Sequence, residues 1–176
     1  MSALDRKLFL LKNMPRGARL ASLAAVYPQT DPKAMEVYSA LLETSSDILS
    51  TINSSLAREG ISQARFRLLL HLRRAGRDGL HPMNIAAGLG VGRATVTGLV
   101  DGIEKAGLAR RLPCSDDRRS IMVALTPKGL RKIDSIAPRR LLRVSELMGG
   151  LSTAEKTELT RLLDKVNANL PAFKKI

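Results

Sequence analysis

The hydrophobic period of this 176-residue chain changes at Gly107. Before it, apolar residues recur about every 3.6 positions, as on helices. After it, Leu108, Arg110 and Leu112 alternate with Ala109 and Arg111, and Ile121, Val123 and Leu125 alternate with Met122 and Ala124. A period of about 2 is that of a pleated strand. Two strands joined by the polar stretch Pro113 to Ser120 make a hairpin. Almost everything around the hairpin reads as helix, so the expected fold class is mainly α with a small β-hairpin, an α+β chain.

The helices carry their own start and stop signals. Asp31-Pro32 is an N-cap followed by proline at the first helical position. From there Tyr38, Leu41, Leu42, Ser45, Ile48, Leu49, Ile52 and Leu56 mark one stripe, ending near Glu59-Gly60. A second helix opens at Ser62 and ends before Ala75-Gly76. Two short helices follow. His81-Pro82 starts the first, Gly88 to Gly92 form a turn, and the second runs from Arg93 to about Ala106. After the hairpin, Thr126-Pro127 starts another helix, which Pro138 is expected to bend or break. Ser152 and Glu155 form a capping box for the last helix, with Leu159, Leu162, Leu163, Val166 and Leu170 on one face and Pro171 as its stop. Leu4, Leu8, Leu11 and Met14 predict a short N-terminal helix, and Tyr27 to Thr30 a connector.

Charge narrows the function. The formal net charge is +13, and it is unevenly spread. Residues 1–60 carry 7 basic and 6 acidic groups, whereas residues 61–126 and 127–176 each carry 11 and 5. Such an excess attracts polyanions. Only 3% of residues are aromatic, with two Tyr and three Phe, so no stacking platform for single-stranded RNA is visible.

Helix, glycine turn, helix and basic hairpin in that order form a winged helix-turn-helix pattern, in which the second helix enters the major groove and the ribbon reaches the neighbouring backbone or minor groove. On the segment from Arg93, residues Val96, Leu99, Val100 and Ile103 fall in one arc and face the core. The opposite arc holds Ala94, Thr97, Gly98, Asp101 and Lys105, flanked by Arg93 and Thr95. This outward face is small and polar, which suits close approach to base edges. The expected reading residues are Arg93, Thr95, Thr97 and Gly98; the expected wing residues are Arg110, Arg111, Arg118 and Arg119, with Asp117 placed to orient one guanidinium.

Residues 61–126 resemble the multiple-antibiotic-resistance regulator (MarR) family. The resemblance rests on Ser62-Gln63-Ala64-Arg65-Phe66-Arg67-Leu68-Leu69, Arg93-Ala94-Thr95-Val96-Thr97-Gly98-Leu99-Val100-Asp101, Glu104-Lys105-Ala106-Gly107-Leu108, Asp117-Arg118-Arg119 and Val123-Ala124-Leu125-Thr126-Pro127-Lys128-Gly129, and it continues to about residue 170. It implies a homodimer whose first and last helices interlock. Two winged domains would read a palindromic operator in double-stranded DNA, and many such proteins are repressors released by a small aromatic or lipophilic effector. By position, Arg93, Thr95 and Thr97 would contact the major groove or phosphates, and Arg118 or Arg119 the minor groove. The expected organisation is an extension over 1–30, a dimerisation helix over 31–60, the winged domain over 61–126 and C-terminal dimerisation helices over 127–176. Gly92 and His81 depart from the family by standing where Ser or Thr helix caps are expected.

Other classes find less support. His71 and His81 share no ligand spacing with each other or with Cys114, and neither a phosphate-binding glycine loop nor a nucleophile elbow occurs, so neither a metal, a cofactor nor an enzyme is expected. His71, between apolar residues on a helix, reads as a packed or surface group. The lone Cys114 among arginines has no supporting residues for a redox sensor. No apolar run approaches the ~18 residues of a membrane span, and the expected location is cytoplasmic. A non-specific DNA coater and a winged-helix protein–protein module remain open beside the sequence-specific regulator.

Overall fold

The computed structural model describes residues 26–113 and 121–173, and these fall into two compact units divided between Leu68 and Leu69. The expected N-terminal helix and the hairpin tip with Cys114, Asp117, Arg118 and Arg119 lie outside the described residues.

The first unit holds α1 (Pro32–Arg58) and the start of α2 (Gln63–Ala75). The connector closes as a turn, with the Thr30 N–H donating to the Tyr27 carbonyl at 3.0 Å. Asp31 caps α1 by accepting from the amides of Lys33 and Ala34 at 2.8 and 3.1 Å, and Pro32 occupies the first position. The inward face of α1 differs from the expected stripe. Its buried positions are Ser39, Ser46 and Leu56, while Tyr38 and Leu49 are exposed. Two small serines, seven residues apart, line the buried side where bulkier residues were expected.

The second unit continues α2 and adds α3 (Pro82–Leu89), α4 (Arg93–Lys105), β1 (Ala109–Pro113), β2 (Ile121–Leu125), α5 (Pro127–Leu147), α6 (Thr153–Ala168) and the short α7 (Leu170–Phe173). Leu72, Ile85, Val96, Val100, Ile103, Val123, Ile133 and Ile136 are buried in it. Each such side chain contributes about 1.5–3 kcal/mol on removal from water. His81 does cap α3, its Nδ1 accepting from the Met83 amide at 3.2 Å, in place of a hydroxyl. The helix also extends through Gly88 and Leu89, where a turn was expected. The reason lies across from it: the His71 ring packs so closely that a Cβ on Gly88 would fall 2.3 Å from Nε2. Gly88 therefore serves helix packing, and His71 is a packed group.

The hairpin pairs β1 antiparallel to β2, with Ala109 opposite Leu125 and Arg111 opposite Val123. The ladder starts at Ala109 rather than at the expected Leu108. Leu108 is already committed: its N–H donates to the Ile103 carbonyl at 2.8 Å and its carbonyl accepts from the Thr126 N–H at 3.1 Å. Gly107, at φ +70°, makes the reversal between helix and strand that closes these bonds. On the outer side of β2, Val123 exchanges both backbone bonds with Leu80, at 2.8 and 2.9 Å.

Thr126 caps α5, its hydroxyl accepting from the Gly129 N–H at 3.1 Å. Of the two expected outcomes at Pro138, a break does not occur: α5 runs on to Leu147. Proline removes one helical N–H, and one turn away the Arg139 side chain donates Nε to the Ser135 carbonyl at 3.3 Å. Pro138 instead marks a change of environment. Ile133, Ile136 and Ala137 before it are buried, and Leu141, Leu142, Val144 and Leu147 after it are exposed. Arg73 of α2 donates to Asp134 of α5 at 2.8 Å, and that carboxylate holds the guanidinium pKa above its ordinary value.

The capping box of α6 is formed as expected. The Ser152 hydroxyl accepts from the Glu155 N–H at 3.3 Å, and the Ser152 N–H donates to the Glu155 carboxylate at 2.7 Å. No residue of α6 is buried.

Candidate nucleic-acid interface

Helix α4 is two-faced because its sequence is. Val96, Val100 and Ile103 are buried, and Leu99 is half-buried. Ala94, Thr95, Thr97, Gly98, Asp101 and Lys105 are exposed, as is Arg93. The expected reading residues Arg93, Thr95, Thr97 and Gly98 therefore all reach solvent on the first two turns of one helix. A Cβ added at Gly98 would meet nothing within 4 Å. The absence of a side chain there leaves the backbone open to a close-lying partner.

The helix start is equally bare. Gly92 is the N-cap and offers no side-chain hydrogen bond, so the first amides of α4 point outward without a capping oxygen. These amides, with the positive end of the helix dipole, make a place for an anion. The Arg93 guanidinium flanks it and donates to the Met83 sulfur at 3.8 Å. The Thr97 hydroxyl donates back to the Arg93 carbonyl at 3.2 Å, which fixes its rotamer and leaves its lone pairs outward.

The ribbon separates the two arginines that sequence reasoning had grouped. Successive strand residues point to opposite faces. Arg111 lies opposite Val123, on the face that also carries buried Ala109 and Leu125. Arg110 lies on the other face, exposed. The Arg111 guanidinium is accordingly turned to α4, where it pairs with both Asp101 and Glu104. Its backbone N–H also donates to Glu104 at 3.2 Å. Asp101 foremost holds the Arg111 pKa above its ordinary value, against the opposing effect of burial and with Glu104 adding to it. The carboxylates were legible as an i, i+3 pair on α4, but nothing in the pattern named their partner.

At its other end α4 is fastened to α5. The Lys128 ammonium donates to the Ala106 carbonyl at 2.9 Å, and the Thr126 hydroxyl donates to the Gly107 carbonyl at 2.7 Å. A cation is favoured at a helix C-terminus. Sequence reasoning missed this role of Lys128, although a lysine two residues after a Thr-Pro cap was the available signal.

Among the described residues no group of His, Cys, Asp or Glu could hold a metal ion, and no described helix is long and apolar enough to cross a membrane. Beside the exposed apolar residues of α1 and of the second half of α5, a further set recurs at helical spacing along α6 and α7, through Leu159, Leu162, Leu163, Val166, Leu170 and Phe173.

Residues 59–120 match the sequence profile described as MarR family. The HTH-type transcriptional repressor YetL of Bacillus subtilis is 27% identical over 164 residues, covering 93% of this chain and 98% of YetL. The HTH-type transcriptional regulator PecS of Dickeya dadantii is 30% identical over 144 residues, covering 81% of this chain and 87% of PecS. Among solved structures, the S. aureus MepR–DNA complex superposes with a TM-score of 0.68 at 21% identity, covering 76% of this chain and 95% of MepR. CouR from Rhodococcus jostii, bound to p-coumaroyl-CoA, superposes with a TM-score of 0.63 at 23% identity, covering 74% of this chain and 91% of CouR.

Proposed function

This chain belongs to the MarR family, and on that premise we propose that it is a homodimeric, sequence-specific DNA-binding regulator of transcription, a repressor released from its operator by a small aromatic or lipophilic molecule. The observation that carries the reading is the outer face of α4: an uncapped N-terminus flanked by Arg93, then Thr95, Thr97 and Gly98 exposed with no bulky side chain among them. Such a face admits phosphate at the helix start and base edges along the first two turns.

In this reading Arg93, Thr95 and Thr97 contact bases or phosphates of the major groove, and Gly98 lets the helix backbone approach closely. One of Arg118 and Arg119 enters the minor groove while Asp117 pairs with the other, and Arg110 serves a neighbouring phosphate. The winged domain spans 61–126, flanked by dimerisation segments over 31–60 and 127–176 and by the extension over 1–30. The exposed stripe of α6 and α7 takes a second copy of the chain, since a contiguous apolar surface of that kind is costly in water. The effector is supported by likeness to CouR, which was solved with p-coumaroyl-CoA bound. No catalytic step is assigned, and the protein works in the cytoplasm, where its operator is.

The test is selection of bound fragments from random genomic duplex by the purified protein at physiological salt. Enrichment of an inverted repeat, preferred roughly 10³-fold or more over random duplex, is the expected result. Enrichment with no motif would turn the reading to a DNA coater governed by salt alone.

A further inference from the structure

The Arg111 guanidinium sits between the two carboxylates of the helix proposed to read DNA. On its own α4 carries no net charge, with Arg93 and Lys105 set against Asp101 and Glu104. Asp101 is exposed on the same arc as Thr97 and Lys105, four residues from each. A free carboxylate there would face the phosphates and repel them. Arg111 reaches both acids from β1, one through each terminal guanidinium nitrogen, and adds its backbone N–H to Glu104. Its strand position explains why it points this way. The pleat places it on the ribbon face whose ion pairs reach α4, and places Arg110 on the opposite face.

We propose that Arg111 is a positioning residue for DNA binding. It masks Asp101 and Glu104 from the phosphates, and it is not itself a phosphate contact. This inference rests on the DNA-binding reading above. It assigns the two adjacent arginines of β1 different work, with Arg110 the one free to meet a backbone.

The test uses the full-length protein and the duplex enriched from genomic fragments, or mixed genomic duplex if no motif emerges. Affinity is measured over a series of salt concentrations for the wild type, Arg111→Ala, Asp101→Asn/Glu104→Gln, and the triple variant, each checked for folding by thermal unfolding. Arg111→Ala is expected to weaken binding by about tenfold, and neutralising both acids in that background to restore it to within about threefold, with the salt slope of the triple variant equal to that of the wild type. A direct phosphate contact predicts otherwise. The triple variant would stay as weak as Arg111→Ala, and its slope of log affinity against log salt would fall by about 0.9. That result, or unchanged affinity in Arg111→Ala, overturns the inference while leaving the DNA-binding reading intact. Failure of the wild type to bind either duplex overturns the DNA-binding reading first. The double variant with Arg111 present keeps the comparison usable should Arg111→Ala fold poorly, because it too must bind at least as well as the wild type.

Discussion

Gly129 lies so close to Leu108 that a Cβ on it would stand 1.9 Å from the Leu108 carbonyl oxygen. The obstacle is backbone on both sides, so no rotamer change relieves it. Gly129→Ala is therefore expected to cost about 2 kcal/mol or more, although alanine favours helix over glycine. A urea unfolding midpoint equal to that of the wild type would contradict the packing described for the start of α5.

Gly98 predicts the opposite sign. It lies within α4, exposed, with open space where a Cβ would be. Gly98→Leu is expected to leave stability unchanged or raise it by up to about 1 kcal/mol, because glycine is a poor helix former. DNA affinity should nonetheless fall at least about tenfold, since a branched side chain would hold the helix off the groove floor. Stability and affinity measured on one preparation decide it; affinity that follows the wild type would remove Gly98 from the interface.

Leu162 and Val166 lie one turn apart on the exposed stripe of α6. Leu162→Glu with Val166→Glu should convert the protein to a monomer at micromolar concentration, as read by light scattering, because two carboxylates would have to be buried without partners. A variant that remains dimeric places the second copy elsewhere.

The capping box of α6 has a pH signature. The Ser152 backbone amide, then the Ser152 side chain, hold Glu155 below the usual glutamate value. Its stabilising effect is therefore complete above the unfolded value of about 4.3 and is lost as pH falls through the lower folded value. The Ser152 amide proton shift should titrate with a midpoint beneath that range, and Glu155→Gln should abolish the titration while retaining a box. A midpoint at or above the usual value would deny the charge-assisted bond.

Much of this was readable from local chemistry. Asp31-Pro32, Thr126-Pro127 and Ser152 with Glu155 each announced a helix start, because capping depends on residues within one turn. The outward face of α4 followed from its period alone. What escaped depends on residues far apart in sequence. Pro138 reads locally as a helix breaker, yet α5 runs through it. Ser39 and Ser46, outside the expected apolar stripe of α1, are buried. Arg110 and Arg111 were grouped because both are basic and adjacent, although the pleat that the sequence itself implied sends them to opposite faces. The partners of Arg111 lie on the preceding helix, and only the turn at Gly107 brings them together.

The fastening of Thr126 to Gly107 and Leu108, with Lys128 on Ala106, has a consequence for the ribbon between them. The hairpin leaves and returns at a single pinned junction, so it is a closed excursion from an otherwise continuous two-helix frame. Thr126 and Lys128 tie the start of α5 directly to the end of α4, beside the chain that links them. The ribbon can thus be lengthened, shortened or exchanged beyond its first paired residues while the frame keeps its shape, which makes it a replaceable tool on a fixed handle.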